Sequence, residues 1–301
     1  MKNLLQRTQI DPLATIEFTP QREGILCGIP QIVTQLRVVT KHALQIWALE
    51  EGAALVRGEV ALRVRGRFAE YADNINALTG VLAVSSGWAT GARALAQAAQ
   101  PIPVIVSPAQ TLYPDTFTQF EYAAVTGGCV AFDSPWQRGL ISRALILLMG
   151  DTVRAAHALD QSLPLDVPRL VYVDTYHDDA DEAVRVALAL GDKLSGVVME
   201  HETERNIVSP DLLKRVRAQL DLAGFPRVKI FVGGDVTPDA LELWKKEQAP
   251  ADGYFAGETI AIAPPIPFRV ELKESDSKPL ARRGLTPGTT SNLRLKKVDV
   301  G

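Results

Sequence analysis

Short apolar runs rich in β-branched residues alternate with amphipathic helical segments through the middle and later parts of the chain. The predicted strands lie at 104–107, 129–132, 169–173, 195–199, 228–232 and 252–255. The predicted helices include 115–126, 139–149 and 152–160, and further helices separate the later strands. This alternation is typical of parallel strands joined by crossover helices. About six or seven such strands favour an α/β-barrel over a doubly wound sheet.

The first hundred residues have a different pattern, without regular alternation of strands and helices. The predicted strands lie at 14–19, 44–49, 53–56 and 60–66, and the predicted helices at 28–40 and 68–99. The alternation at 14–19 is that of an exposed edge strand. Strands paired locally and flanked by helices predict an α+β domain.

Two boundaries follow from these patterns. Pro101 and Pro103 block helix continuation, so we expect an N-terminal domain over 1–100 and a barrel domain over 101–265. Residues 268–274 alternate as a strand, which we expect to rejoin the N-terminal domain, so that 266–301 complete it. The last dozen residues are polar and are expected to be disordered.

Composition narrows the class of protein. A chain of 301 residues with 47% hydrophobic residues can bury one large core or two moderate ones. A net charge of −3 without a Lys/Arg stripe predicts no nucleic-acid partner. No segment has the length of a membrane span and the start has no secretory pattern, so we expect no membrane association and a cytoplasmic protein.

The cysteines, histidines and tryptophans give structural rather than catalytic expectations. Cys27 and Cys129 match no zinc or CxxC spacing, so they are interpreted as small buried side chains in a reducing compartment, and no metal site is predicted. His157 and His177 are expected on helix surfaces. Packing roles are expected for Trp88, Trp136 and Trp244.

Chemistry in a parallel barrel lies at the carboxyl ends of its strands. Here these ends are Asp174, Glu200–Glu202, Gly233–Asp235 and Gly257-Glu258, and most of them carry acids. Asp174 and Glu200 are the candidate catalytic residues. Asp174 either belongs to a site rim or caps the following helix, and capping is the preferred interpretation.

Several segments, in their order and spacing, resemble the nicotinate phosphoribosyltransferase family, most closely its archaeal-type branch. They are EGILCGIPQIV (23–33), IWALEEGAAL (46–55), TGGC (126–129), RALILLMGD (143–151), VDTYHDDADEAVRVALALGDKLSGV (173–197), LDLAGFPRVKIFVGG (220–234) and KPLARRG (278–284). The resemblance extends from about residue 14 to about residue 294.

The resemblance implies a type II phosphoribosyltransferase-like β/α-barrel with an N-terminal α+β domain that the C-terminal strand rejoins. It also implies a homodimer with sites near the subunit interface. Members of the family join nicotinate to phosphoribosyl pyrophosphate in NAD biosynthesis, aided by ATP hydrolysis and Mg²⁺. Mg²⁺ is therefore the cofactor implied for an active protein, and a small molecule is the implied ligand.

The residues that would perform this chemistry depart from the family pattern. A paired-arginine strand end is replaced by 107–111, so that Gln110 stands in a segment without positive charge. The family's Pro-His element is Ser142-Arg143 here, and its Arg-Leu-Asp-Thr element is Val198-Met199-Glu200-His201. Glu200 is a candidate ribose or metal ligand in place of the aspartate.

Of three charged residues near these motifs, two have two interpretations each. Arg143 either binds an anion or is a surface charge at a helix end. Arg138 is the second candidate substrate-binding arginine in the enzymatic interpretation. His201 lies between Glu200 and Glu202 and suggests a metal ligand, but on an extended segment it points away from both acids, so a solvated charge run is favoured.

The phosphate-binding turns differ most. The family's Ser-Gly-Gly-Leu is 233–236 here and its Gly-Val-Gly-Thr is 255–258, so Asp235 replaces a glycine and Glu258 a threonine. The candidate substrate-binding residues Gly233, Gly234 and Gly257 still allow the backbone to turn. One like charge at about 4 Å and an effective dielectric near 20 costs roughly 4 kcal/mol, or about a thousandfold in affinity. We therefore expect phosphate binding in the family manner to be lost.

Two functions remain in competition. One is a divergent phosphoribosyltransferase-like enzyme that uses Arg138, Arg143, Asp174 and Glu200. The other is a non-catalytic paralogue that retains the scaffold and acts as a binding, regulatory or assembly protein. Whether the protein is an enzyme stays open on sequence alone.

Overall fold

A computed structural model describes residues 2–42, 44–201, 208–234 and 236–299. The chain divides into two compact units, one formed by residues 1–91 with 263–301 and the other by residues 92–262. Within the described ranges, no helix has the length and apolarity that crossing a membrane requires.

The described helices are α1 (Lys2–Arg7), α2 (Ile29–Val39), α3 (Phe68–Tyr71), α4 (Ile75–Ala99), α5 (Phe117–Gly127), α6 (Pro135–Arg138), α7 (Arg143–Met149), α8 (Thr152–Ser162), α9 (Asp179–Leu190), α10 (Pro210–Leu222), α11 (Pro238–Lys246) and α12 (Glu258–Ala261). The described strands are β1 (Leu13–Pro20), β2 (Gly24–Ile25), β3 (Gln45–Ala48), β4 (Ala54–Leu55), β5 (Leu62–Arg67), β6 (Val104–Val106), β7 (Arg169–Tyr172), β8 (Leu194–Met199), β9 (Lys229–Val232), β10 (Gly253–Ala256), β11 (Phe268–Ser275), β12 (Lys278–Pro279) and β13 (Lys296–Val298).

The first unit is built on an antiparallel sheet with the strand order β12-β11-β1-β5-β3-β13. The pairing of β11 with β1 confirms that the C-terminal strand rejoins the N-terminal part of the chain. The expected disorder of the last dozen residues is wrong for Lys296–Val298, because these residues form β13 and pair with β3.

The expectation that 14–19 forms an exposed edge strand is also wrong, since β1 lies between β11 and β5. Its apolar side chains, Ile16 and Phe18, face the core. The opposite face is polar but buried: Glu17 is 2% exposed and accepts hydrogen bonds from Arg63 Nε at 2.8 Å and Thr290 N at 3.0 Å. The polar residues of the alternation are therefore covered by the chain's own C-terminal segment rather than by water.

A glycine precedes helix α2, and a carboxylate distant in the sequence caps the helix. Gly28 has a φ of 113°, which favours glycine, and α2 follows directly. Glu51 accepts hydrogen bonds from Gly28 N at 2.6 Å and Ile29 N at 3.1 Å, so it satisfies backbone donors that the helix leaves free. Burial raises the pKa of Glu51, and these hydrogen bonds partly offset the rise.

The second unit contains a parallel sheet with the strand order β6-β10-β9-β8-β7. Parallel bridges add Val130 beside Ile105 at one edge and Leu140 beside Leu170 at the other. The strands and the two bridged segments thus follow one another in the order of the chain. The last strand, β10, pairs with the first, β6. This is the connectivity of a β/α-barrel. The strand predicted at 129–132 is reduced to the single bridge at Val130, and the helix predicted at 139–149 begins only at Arg143.

Large and very small residues alternate in the barrel interior. Phe231 lies between Phe255, at a ring distance of 5.6 Å, and Trp136, at 5.2 Å. A Cβ at Gly253 would lie 2.7 Å from the Phe231 ring, and a Cβ at Gly196 would lie 2.9 Å from it. The two glycines thus make room for one aromatic side chain on a neighbouring strand.

The packing roles expected for the remaining residues are confirmed. Trp244 is buried and stacks on Tyr254 at 5.2 Å, on the outer face of the barrel. Trp88 is also buried, while Trp136 packs against the interior. Cys27 and Cys129 are buried, as expected, and burial raises the pKa of Cys129 to about 12. His157 and His177 are exposed.

Candidate functional site

The carboxyl ends of the parallel strands bring several of the predicted residues together. Asp174 follows β7 by two positions, Glu200 follows β8 directly, and Gly233 and Gly257 follow β9 and β10. Alternation along each strand directs Tyr172, Glu200 and Gly233 to the same side as the interior residues Leu170, Val198 and Phe231. Val198, one of the departures from the family motif, is therefore a core residue.

Arg143 lies at the centre of this end of the barrel. Its Nη2 is 2.7 Å from Asp174 Oδ2 and its Nη1 is 2.8 Å from Glu200 Oε2. Nη2 also donates to the carbonyl oxygen of Glu200 at 2.9 Å. The side chain is 29% exposed, so the interpretation as a free surface charge is wrong. Burial alone would lower the pKa of Arg143, but the hydrogen bonds that it donates to Asp174 and the charges of Asp174 and Glu200 raise it above its ordinary value.

Asp174 is held inside the cluster rather than at a helix end. Its side chain is 3% exposed, and Oδ2 accepts a second hydrogen bond from Glu200 N at 2.6 Å. The capping interpretation is wrong, because the N-cap of α9 is Asp178, whose side chain accepts a hydrogen bond from Ala180 N at 3.1 Å. Asp174 thus ties the ends of β7 and β8 together and binds Arg143.

Tyr172 is a site residue that the sequence analysis missed. Its ring lies 4.0 Å from the Arg143 guanidinium carbon, and its hydroxyl hydrogen-bonds to Glu200. Burial and the negative charge of Glu200 raise the pKa of Tyr172, so it stays a neutral donor. The signal in the sequence was the period of two along β7, which places Tyr172 on the same side as Leu170 and Asp174.

His201 and Glu200 do not form a solvated charge run. Glu200 binds Arg143, while His201 Nε2 lies 3.0 Å from Asp179 Oδ1 in the first turn of α9. The pairing of His201 with Asp179 places the imidazole at the start of that helix. Glu202 lies outside the described residues.

The glycine turns pack tightly against neighbouring loops. A Cβ at Gly257 would lie 2.6 Å from the carbonyl oxygen of Pro108. Gly234 has a φ of 83°, and its Cβ would lie 3.0 Å from the carbonyl oxygen of His201. The Glu200 side chain is 3.4 Å from the Cβ position of Gly233. Close packing requires a glycine at 257 and 234 but not at 233, and the roles of all three in substrate binding remain predictions.

Glu258 lies at the start of a short helix and binds the loop that follows β6. It begins α12 directly after Gly257, and its Oε2 accepts a hydrogen bond from the backbone N–H of Gln110 at 3.0 Å. Gln110 belongs to the segment after β6, where the family has its paired arginines. A protein carboxylate thus already uses a backbone donor of this loop. Asp235, the other acidic departure, lies outside the described residues.

Two further predicted residues lie at the edge of this arrangement or away from it. Ser142 is the N-cap residue of α7, but its side chain makes no capping hydrogen bond. Arg138 ends α6, whose Trp136 lies under Lys229 at the amino end of β9. The Arg138 side chain is 57% exposed and lies 3.6 Å from Asp133. The structure does not bring Arg138 to the Arg143 cluster.

The acidic residues at this end do not form an evident cation site. In the described ranges no cluster of three or more His, Cys, Asp or Glu side chains could hold a metal ion. Asp174 and Glu200 already bind the guanidinium of Arg143, which supplies the positive charge that a divalent cation would bring. The described residues therefore do not fit a resident Mg²⁺.

Comparison with solved structures places this fold among known proteins. Nicotinate-nucleotide pyrophosphorylase from Pyrococcus furiosus matches with a TM-score of 0.82 and 29% identity, over 94% of this chain and 75% of that one. Human nicotinic acid phosphoribosyltransferase matches with a TM-score of 0.70 and 15% identity, over 96% and 75% of the respective chains. Nicotinate-nucleotide pyrophosphorylase from Francisella tularensis matches with a TM-score of 0.69 and 16% identity, over 89% of each chain.

No protein-family model matches the sequence. The structural likeness nevertheless defines the class of the fold. The chain has a type II phosphoribosyltransferase-like fold, a β/α-barrel with an N-terminal α+β part that the C-terminal strand rejoins, as the sequence predicted.

Proposed function

We propose that this chain is a nicotinate phosphoribosyltransferase-like protein that binds a small ligand at the carboxyl ends of its barrel strands but has lost transfer from phosphoribosyl pyrophosphate. The observation that carries the proposal is the pairing of Arg143 with both Asp174 and Glu200. A guanidinium that two carboxylates already bind is a poor receptor for a phosphate.

The charge balance of the cluster supports the loss of phosphate binding. Arg143 contributes one positive charge and the two carboxylates contribute two negative ones, so the cluster is net negative when all three are ionised. A pyrophosphate that approaches it meets repulsion instead of a free cation. One uncompensated unit of repulsion at about 4 Å costs roughly 4 kcal/mol at an effective dielectric near 20.

The loop after β6 supports the same conclusion independently. Backbone N–H groups in such loops are ordinary phosphate donors. Here the N–H of Gln110 donates to Glu258, and no arginine stands in 107–111. An entering phosphate would have to displace a carboxylate that is covalently part of the protein and therefore always present.

Retained catalysis is the second candidate, and two observations favour it. The Pyrococcus furiosus protein, a nicotinate-nucleotide pyrophosphorylase, is similar over 94% of this chain. Asp174 and Glu200 also offer carboxylate oxygens that could accept hydrogen bonds from ribose hydroxyls if Arg143 turned away. In this alternative a phosphate would draw Arg143 out of the cluster.

A direct assay separates the two candidates. Purified protein would be incubated with nicotinate, phosphoribosyl pyrophosphate, ATP and Mg²⁺, and nicotinate mononucleotide would be measured by chromatography. We expect no product above that of a protein-free control. Product formation that is lost in Arg143→Gln but kept in the exposed surface variant Arg227→Gln would show that the transferase activity persists and would overturn the proposal.

A binding measurement tests the ligand site itself. A specific ligand raises the thermal midpoint by mass action, by about 2.7 kcal/mol of stability at a hundred times its dissociation constant. We expect nicotinate or ribose to raise the midpoint, and pyrophosphate to leave it unchanged at millimolar concentration. Glu258→Thr should then increase the response to pyrophosphate, because it frees the Gln110 N–H. A response of the unsubstituted protein to pyrophosphate equal to that of Glu258→Thr would contradict the role given to Glu258.

A further inference from the structure

A cavity lies in the first unit, on the polar face of its antiparallel sheet. Its volume is about 460 Å³, within the range of small-molecule sites. Strand β11 forms one wall through Arg269, Glu271 and Lys273, and the segment after β12 forms the other through Leu280, Arg282 and Leu285. Every lining residue belongs to the first unit, so this cavity is separate from the barrel.

The charges in this cavity are not balanced. Three cationic side chains, Arg269, Lys273 and Arg282, face a single carboxylate, that of Glu271. Glu271 Oε1 lies 3.3 Å from Arg269 Nε and 3.6 Å from Arg282 Nη2. The third cation, Lys273, donates a hydrogen bond from its Nζ to the carbonyl oxygen of Thr286 at 2.8 Å, which is an uncharged partner. The cavity therefore carries an excess of positive charge.

The hydrogen bonding of the Glu271 carboxylate is incomplete. Its Oε1 is buried and accepts no hydrogen bond from the described residues, although two guanidinium groups are close. A buried carboxylate oxygen is less favourable without a well-aligned hydrogen-bond donor. Arg269 and Arg282 are 42% and 77% exposed, so most of their N–H donors face the cavity opening or solvent. Glu271 Oε1 thus has two cations within ion-pair distance but no hydrogen bond of good geometry from the described residues.

We propose that this cavity binds a small organic anion, with a carboxylate or phosphate group held between Arg269 and Arg282. Two guanidinium groups supply paired N–H donors of the kind that recognise these anions. Leu280 and Leu285 offer apolar surface for the body of the ligand. A neutral N–H or O–H on the ligand would complete the hydrogen bonding of Glu271. The volume accommodates a metabolite-sized molecule.

Calorimetric titration of the full chain tests this proposal, with phenyl phosphate, benzoate and inorganic phosphate as the probes. We expect saturable binding of phenyl phosphate or benzoate at millimolar concentration or below, with the stronger of the two identifying the anionic group. Inorganic phosphate should bind more weakly because it lacks an apolar body. In Arg269→Gln/Arg282→Gln the affinity should fall about tenfold or more. The exposed Arg283→Gln, which replaces an arginine outside the cavity lining, is the matched control and should bind within about twofold of the parent.

Glu271→Gln should change the affinity in the opposite direction, which distinguishes a specific charge effect from general destabilisation of the protein. It removes the carboxylate charge beside the anion while retaining the shape, so the affinity for the anionic probes should rise about threefold or more. The absence of saturable binding in the parent protein would overturn the proposal. Binding that survives the double arginine substitution but is lost in Arg143→Gln would assign the probes to the barrel instead, and would also overturn it.

Discussion

The barrel interior and the carboxyl ends of its strands lie next to each other but are organised by different forces. In the interior, Phe231 fits between aromatic neighbours because Gly196 and Gly253 have no side chains. At the carboxyl ends, Arg143, Asp174 and Glu200 are fixed by ion pairs and hydrogen bonds. The first region depends on volume, and the second depends on charge.

This difference determines what each region tolerates. An overfilled interior has no alternative arrangement, since close-packed side chains can move only a few tenths of an ångström. A charge cluster can gain or lose a proton, admit water or exchange partners. Function is therefore more easily altered at the carboxyl ends than in the interior.

The largest effect that we predict concerns Gly253 in the interior. In Gly253→Val the new Cβ would meet the Phe231 ring at 2.7 Å, and the additional methyl groups would displace it. We expect a loss of about 3 kcal/mol in the free energy of unfolding, or failure to fold. Urea denaturation of the purified protein measures the change.

Gly80→Ala is the control for this substitution. Gly80 lies in α4, and its Cβ would meet nothing within 4 Å. Alanine there should leave the stability unchanged or raise it by up to about 1 kcal/mol, because alanine favours the helix. Equal stability of the two variants would show that the interior is not limited by volume.

The second effect tests the charge cluster. Arg143→Gln leaves the buried Asp174 and the half-buried Glu200 without their cation, and we expect a loss of about 2 kcal/mol at neutral pH, less than for a fully buried pair because Arg143 is 29% exposed. Urea denaturation at neutral pH measures this loss, with Arg227→Gln as the exposed control.

A double-mutant cycle with Asp174→Asn completes this test. The two substitutions together should cost less than the sum of the single ones, because the uncompensated charge is removed with the cation. Strictly additive losses would show that packing rather than charge holds this end of the barrel.

The same difference explains which features the sequence could predict. Apolar periodicity located β6 to β10 to within two residues, because alternation of buried strands and amphipathic helices depends on the local sequence. The edge position assigned to 14–19 was wrong because residues far along the chain cover Glu17 and Thr15. Arg63 is 46 positions from Glu17, and Thr290 and Glu274 are more than 250 positions from their partners. Burial by distant segments leaves no local signal.

The candidate site shows the same limit at the scale of single side chains. Strand-end position correctly brought Asp174 and Glu200 together, because parallel strands align their carboxyl ends. It could not show that Arg143 binds both, since this depends on the path of Gly139–Ser142 along β7. The capping role assigned to Asp174 followed from local spacing, and long-range pairing with Arg143 prevailed over it.

The smallest effect concerns the outer helices, where charge and local structure act together. Asp151 is the N-cap of α8, accepting a hydrogen bond from Arg154 N at 2.9 Å, and its Oδ2 lies 2.8 Å from Arg185 Nη2. The hydrogen bond from Arg185, with that from the Arg154 backbone, lowers the pKa of Asp151 below its ordinary value. We expect Asp151→Ala to cost about 1 kcal/mol at neutral pH, mainly through the lost cap.

The pH dependence of this cost separates the cap from the ion pair. Because the folded-state pKa of Asp151 is depressed, its ionic contribution is complete above the unfolded pKa and is lost as the pH falls through the folded pKa. The difference between parent and Asp151→Ala should therefore shrink on acidification. Asp151→Asn keeps the cap and removes the charge, so it should cost less than alanine at neutral pH. Its cost should fall by the same amount on acidification, because neither variant titrates at this position. If asparagine cost as much as alanine, charge would govern the outer helices as it governs the ends of the strands, and volume would be decisive in the barrel interior alone.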